Sequence, residues 1–143
     1  MTETKNKQAL EVLGQIFQAE IAGIVRYLHY SFMVMGHNRI PIQKWFRDQA
    51  AESTGHAVTI GEKITSLGGH PPLVSTTVEE SNRHGVHELL EESLVHERSG
   101  LKLYGKLVEL SHGDIALEEL ARQLFREETE HIEEVEKMLK TSI

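Results

Sequence analysis

"GGHPPLVSTTVEESNRHG", residues 68–85, interrupts a chain that is otherwise helical in its periodicity. Its glycines and prolines stop one helix well before the next begins. At about 3.3 Å per extended residue, such a connection reaches roughly 55 Å. A helix of about 27 residues is roughly 40 Å long. The connection can therefore travel the full length of a helix bundle before the chain turns helical again. A structureless loop of this size inside a small domain needs a reason, and a crossover supplies one.

Working outward, two shorter breaks flank the crossover. "GHNRIP" (36–41) places Pro41 to open a helix, and "SHGD" (111–114) offers Gly113 as a stop and Asp114 as the next N-cap. The segments between breaks run about 26 to 33 residues with helical, not alternating, apolar spacing. Short turns make the first pair of helices antiparallel, and likewise the last pair. The expected fold is all-α: an up-down-down-up four-helix bundle with a long crossover between helices 2 and 3, one domain over residues 1–143.

Composition narrows the function classes. A formal net charge of −7 argues against a nucleic-acid or anionic-membrane partner. The chain has no cysteine, which excludes disulfides and thiolate chemistry, so a transition metal would have to be held by His and carboxylate. The polar start "MTETKNKQ" is no signal peptide, and no apolar run is long enough to span a bilayer. A cytoplasmic protein is expected.

The acidic stretch "FREETEHIEEVEKML" (125–139) raises the question of which charges face inward. Steps of four and three give the seam Leu117, Ala121, Leu124, Glu128, His131, Val135 and Met138. Glu128 and His131 thus interrupt an apolar seam, whereas Glu127, Glu130, Glu133, Glu134 and Glu136 read as solvated face. The first helix repeats the pattern, with Glu20 between Phe17 and Ile24. In the second, His56 lies between Phe46 and Ile60, and in the third, Glu97 between Leu90 and Leu101. Each of Glu20, His56, Glu97 and Glu128 lies about 14 to 16 residues from a turn, roughly 21–24 Å along its helix. Three carboxylates and two imidazoles therefore converge on one level.

Charges buried at one level must be protonated, ion-paired or metal-bound, because desolvation costs several kcal/mol each. No Lys or Arg lies on the seams at that depth, and a divalent cation is the simplest remedy. A Glu from each of two helices, with Glu-x-x-His from the others, is how four-helix bundles build di-iron carboxylate centres. The remaining histidines, His96 and His112 among them, read as surface residues. Tyr27 and Tyr104 read as core, and Met33 and Met35 as helix-packing residues.

On these residues the chain resembles the ferritin-like superfamily, and bacterioferritins most. The resemblance spans "AEIAGIVRYLHY", "GHAVTIGEKITSLGGHP", "LVHERSGLKLY" and "LFREETEHIEEVE". It implies that Glu20 and His56 hold one iron, that Glu97 and His131 hold the other, and that Glu128 bridges them. A second bridge is expected three residues before His56, where this chain has Ser53, with Glu52 one position away and roughly 80° off the seam. Glu52 is therefore a candidate ligand in its place. The haem-ligating Met of bacterioferritins falls at Thr54, so haem is not expected. The sequence ends at Ile143, and the short fifth helix of the fourfold contacts is not expected either. A 24-subunit shell is accordingly in doubt, and a homo-oligomer of at least a dimer is the minimum.

Two function classes remain open at this point. One is a ferroxidase-type oxidoreductase, taking Fe(II) with O2 or peroxide for iron storage or detoxification. The other is a non-catalytic metal-binding or assembly protein whose altered centre holds iron, zinc or manganese. Three carboxylates fall one charge short of neutralising two divalent ions. Glu52, an exogenous anion or single-metal occupancy would correct that. A metal-free bundle is the weakest alternative.

Overall fold

The computed structural model describes residues 1–140. Four helices follow in order: α1 (Glu3–Met33), α2 (Arg39–Ser66), α3 (Val86–Leu110) and α4 (Ile115–Leu139). Two of the starts are capped by side chains. Thr2 Oγ1 accepts from the Lys5 backbone N–H at 3.1 Å, and Asp114 Oδ1 accepts from that of Leu117 at 3.0 Å. The turns rest on glycines with left-handed backbone: Gly36 (φ 104°), Gly68 (φ 83°) and Gly113 (φ 99°). Pro41 falls in the first turn of α2, where its missing N–H costs no helical bond.

Two apolar clusters fix the topology. One gathers Val12, Leu13 and Ile16 from the start of α1 with Ile60 and Ile64 from the end of α2. Leu107 from the end of α3 and Leu117, Ala121 and Leu124 from the start of α4 complete it. The other gathers the opposite ends: Tyr27, Tyr30 and Val34 of α1, Phe46 and Ala50 of α2, Leu89, Leu90 and Leu94 of α3, and Ile132 and Val135 of α4. Helices α1 and α4 therefore run one way and α2 and α3 the other. This is the up-down-down-up bundle, and the 67–85 crossover makes the parallel step from α2 to α3.

Between the clusters lies a polar layer. Glu20, Ser53, Glu97 and Glu128 are all buried at this level. The seam spacing thus located the level, although not every off-seam residue behaved as expected. Met35 is 68% exposed, because α1 ends at Met33 and the turn at Gly36 leads its side chain away from the bundle.

Candidate metal centre

Each of the four helices supplies side chains to the layer. Glu20 comes from α1, Gln49, Glu52, Ser53 and His56 from α2, Glu97 from α3, and Glu128 and His131 from α4. They line a cavity of about 10 Å³, room for about one water-sized sphere. Among the described residues lining it, none is Lys or Arg. The Gln49 Oε1 is buried there without a hydrogen-bond donor.

Besides an outer set of Glu52, His56 and Glu127, the donors fall into two overlapping inner sets. In each set, one atom per residue lies within 4.8 Å of the others: Glu20, His56 and Glu128 in the first, Glu97, Glu128 and His131 in the second. Glu128 belongs to both. His56 turns Nδ1 inward, 3.6 Å from Glu20 Oε1. Its Nε2 turns outward, 3.2 Å from Glu127 Oε2 and 3.7 Å from Glu52 Oε1. Glu52 therefore borders the cavity but stands on the outer side of His56, with 43% of its side chain exposed. Glu127 departs from the solvated face expected of it. Its side chain is two-thirds covered and reaches across to α2.

Two tyrosines support the carboxylates across the α1–α3 contact. Tyr104 O–H donates to Glu20 Oε1 at 2.8 Å, and Tyr27 O–H donates to Glu97 Oε1. Tyr27 Oη also lies 3.4 Å from His131 Nε2. Burial and the neighbouring carboxylates push both phenols well above their usual range, so both remain donors. The sequence placed both tyrosines in the core, and they are there. Their hydroxyls, however, face the centre. His96 is another correction, since it is half-buried beside Tyr27, with ring centroids 6.5 Å apart.

The electrostatics show a layer short of positive charge. Burial, then the hydrogen bond and charge of Glu97, push the Glu128 carboxyl up to about 12. Burial works in the same sense on Glu97, but the Glu128 hydrogen bond and the His131 and His96 imidazoles outweigh it and hold Glu97 below its ordinary range. The pair thus shares one proton, carried on Glu128. Burial disfavours the His56 imidazolium, yet its hydrogen bond to Glu20 and the charges of Glu20 and Glu52 raise it to about 9. A buried carboxyl that burial and its neighbours keep protonated, beside a glutamine oxygen without a donor, fits a divalent ion chemically.

The sequence matches the family described as Ferritin-like domain over residues 10–142. The chain belongs to the ferritin-like family. No curated protein matches it. Among solved structures, this ferritin-like chain is similar to a ferritin-like diiron-carboxylate protein from Bacillus anthracis. The two share 27% identity and a TM-score of 0.91, with 98% of this chain and 100% of the other covered. It also resembles a Rhodobacter capsulatus bacterioferritin described with a metal-free dinuclear site and haem iron (24% identity, TM-score 0.85, 93% and 84% covered). A bacterioferritin-related dodecameric thioferritin from Bacteroides fragilis is similar as well (22% identity, TM-score 0.86, 94% and 85% covered). At the identities of the last two, the likeness is one of fold.

Proposed function

We propose that the protein is a bacterioferritin-like iron-binding protein that takes Fe(II) at the four-helix layer and promotes its oxidation by O2 or peroxide, for iron storage or detoxification. The observation that carries this reading is the pair of donor sets meeting at Glu128. Glu20 and His56 would hold one Fe(II), Glu97 and His131 the other, and Glu128 would bridge them. Oxidation passes one electron from each Fe(II) to the oxidant. The chain's own part is to supply neutral imidazoles and ionised carboxylates, which requires His56 and Glu128 to give up their protons. Tyr104 and Tyr27 orient the terminal carboxylates by hydrogen bonds, as outer partners of metal ligands do. The two apolar clusters above and below the layer restrict water around it.

One observation favours a second reading. Ser53 stands where a second bridging carboxylate would serve, and its hydroxyl is neutral and too short to span two ions. A centre so altered would hold iron, zinc or manganese with slow turnover or none. Both readings place the protein in the cytoplasm as a homo-oligomer. Among the described residues, no helix is long and apolar enough to cross a membrane.

Glu128→Ala tests the assignment. It removes the one residue common to both inner donor sets, so the Fe(II) or Zn(II) held at the four-helix layer should be lost while the helical circular dichroism remains. Unchanged metal content by elemental analysis would overturn the centre. Stopped-flow oxidation of Fe(II) by the natural protein separates the two readings, since a non-catalytic centre leaves the rate at that of free iron.

A further inference from the structure

A second cluster of donors lies on the crossover, built from none of the residues of the central layer. The crossover is lightly tethered. Its backbone bond to α1, among the described residues, is that from Thr76 N–H to Gln18 O at 3.4 Å, and Leu73 is 95% exposed. Farther along, the chain makes a tight turn against the second half of α1. Asn82 takes φ 60°, a left-handed conformation that asparagine tolerates better than most residues. Its backbone N–H donates to Glu80 Oε1 at 2.8 Å, and that of Arg83 donates to Ser81 Oγ at 3.2 Å.

This turn sets Glu80 beside His84, with His84 Nε2 3.2 Å from Glu80 Oε1. The other carboxylate oxygen, Oε2, meets Nε2 of His29 on α1. The two imidazole rings cross nearly edge-on, with centroids 5.9 Å apart. One atom from each of the three residues lies within 4.8 Å of the others. Although Glu80 Oε2 is adjacent, His29 Nε2 is shielded from water and has no aligned hydrogen bond. His84 Nε2 lies within hydrogen-bond distance of both Glu80 oxygens, so the buried His29 Nε2 is the donor left for a further ligand to satisfy.

We infer that His29, Glu80 and His84 form a second site, for a single divalent transition metal ion of the zinc type, which ties the crossover to α1. Two imidazoles and one carboxylate are a donor set that zinc takes in three-ligand sites, with water in the fourth position. At zinc–nitrogen distances of about 2.0–2.1 Å, tetrahedral ligands stand roughly 3.3 Å apart; His84 Nε2 already lies 3.2 Å from Glu80 Oε1, whereas His29 Nε2 stands closer than this to Glu80 Oε2 and would move outward to admit the ion. Because the donors come from α1 and from the crossover, an ion here would hold in place a segment that the backbone barely holds.

The test is a Zn(II) titration of the full metal-free chain against a chromophoric chelator. The natural protein and Glu128→Ala are each measured with and without His29→Gln/His84→Gln. In both backgrounds the histidine pair should remove one chelator-resistant zinc per chain. His84→Gln alone should weaken it by at least the roughly 10–100-fold that losing an outer partner costs a metal site. At zinc about 100 times Kd, cleavage within residues 67–85 should slow roughly 100-fold in Glu128→Ala. It should not slow in Glu128→Ala/His29→Gln/His84→Gln. Equal zinc counts with and without the histidine pair would overturn the inference, as would a crossover that zinc fails to protect. A natural protein and Glu128→Ala that share a single zinc, lost with the histidine pair, would instead overturn the central assignment and leave this one standing.

Discussion

Glu128 and His56 carry protons that metal ions, on the proposed function, would have to displace, and this has a measurable sign. With Glu128 near 12 and His56 near 9 in the metal-free protein, both are protonated at neutral pH. Loading two divalent ions at pH 7 should therefore release about two protons per chain, read by titration in buffers of different ionisation enthalpy. The same shifts govern stability. Both groups bind protons more tightly folded than unfolded, so the metal-free protein should lose stability as pH rises. The His56 part is complete below the unfolded value of 6.5 and is lost on rising through about 9. A Tm that climbs between pH 6.5 and 9 without metal would contradict the assignment. Ser53 gives the other prediction at this scale. Ser53→Glu should raise both metal stoichiometry and the rate of Fe(II) oxidation, with Glu52→Ala as the control. If the natural protein already oxidises two irons per chain rapidly and Glu52→Ala abolishes this, Glu52 is the displaced bridge and the centre is not weakened.

At the scale of the helix, spacing explains both what the sequence reveals and what it conceals. A three-and-four seam converts directly into a buried face, and distance from a glycine turn converts into depth. The sequence alone therefore suffices to place Glu20, His56, Glu97, Glu128 and His131 on one level. Glu127 escapes because it lies one position off the seam. A long side chain there can still reach the neighbouring helix, and periodicity records direction, not reach. The His29–Glu80–His84 cluster escapes for another reason: a turn held by the left-handed Asn82 leaves no periodic signal. The hydroxyl directions of Tyr27 and Tyr104 depend on the α1–α3 contact, which is likewise absent from a one-dimensional pattern. The packing around α1 at this level is tight. A methyl group on Gly23 would lie 3.0 Å from Ser53 Oγ and 3.1 Å from His96 Nε2. Gly23→Ala should cost about 1–3 kcal/mol by overpacking, against about 1 kcal/mol gained in helix propensity. Gly14→Ala meets nothing within 4 Å, so it should stabilise α1. Thermal melts of the two variants moving in the same direction would remove the steric argument.

At the scale of the molecule, the exterior of the bundle is not uniformly polar. Val25 (49% exposed), Leu28 (40%), Phe32 (56%) and Met35 (68%) follow one another at steps of three and four along α1 and its end. An apolar stripe of this kind is a candidate surface for a second copy of the chain. A dimer through the first two helices would place the stripe at its interface, with Arg47 over the Phe32 ring at 5.5 Å as part of the rim. Phe32→Glu should convert the oligomer to monomer by light scattering without loss of helix content. A natural protein that is already monomeric would refute the interface.

The division of the interior into two apolar clusters with a proton-sharing layer between them reaches beyond binding. Each cluster can consolidate by burial alone, whereas cations bound at the layer joining them would add to the cohesion its hydrogen bonds supply. An ion at about 100 times its Kd adds roughly 2.7 kcal/mol to the folded state, a large share of the marginal stability of a small domain. Proteases act on whatever fraction opens, so loaded copies would outlast empty ones. The cellular lifetime of the protein would then record the metal supply, with chains accumulating when iron is plentiful and clearing when it is scarce, and no change in synthesis would be needed.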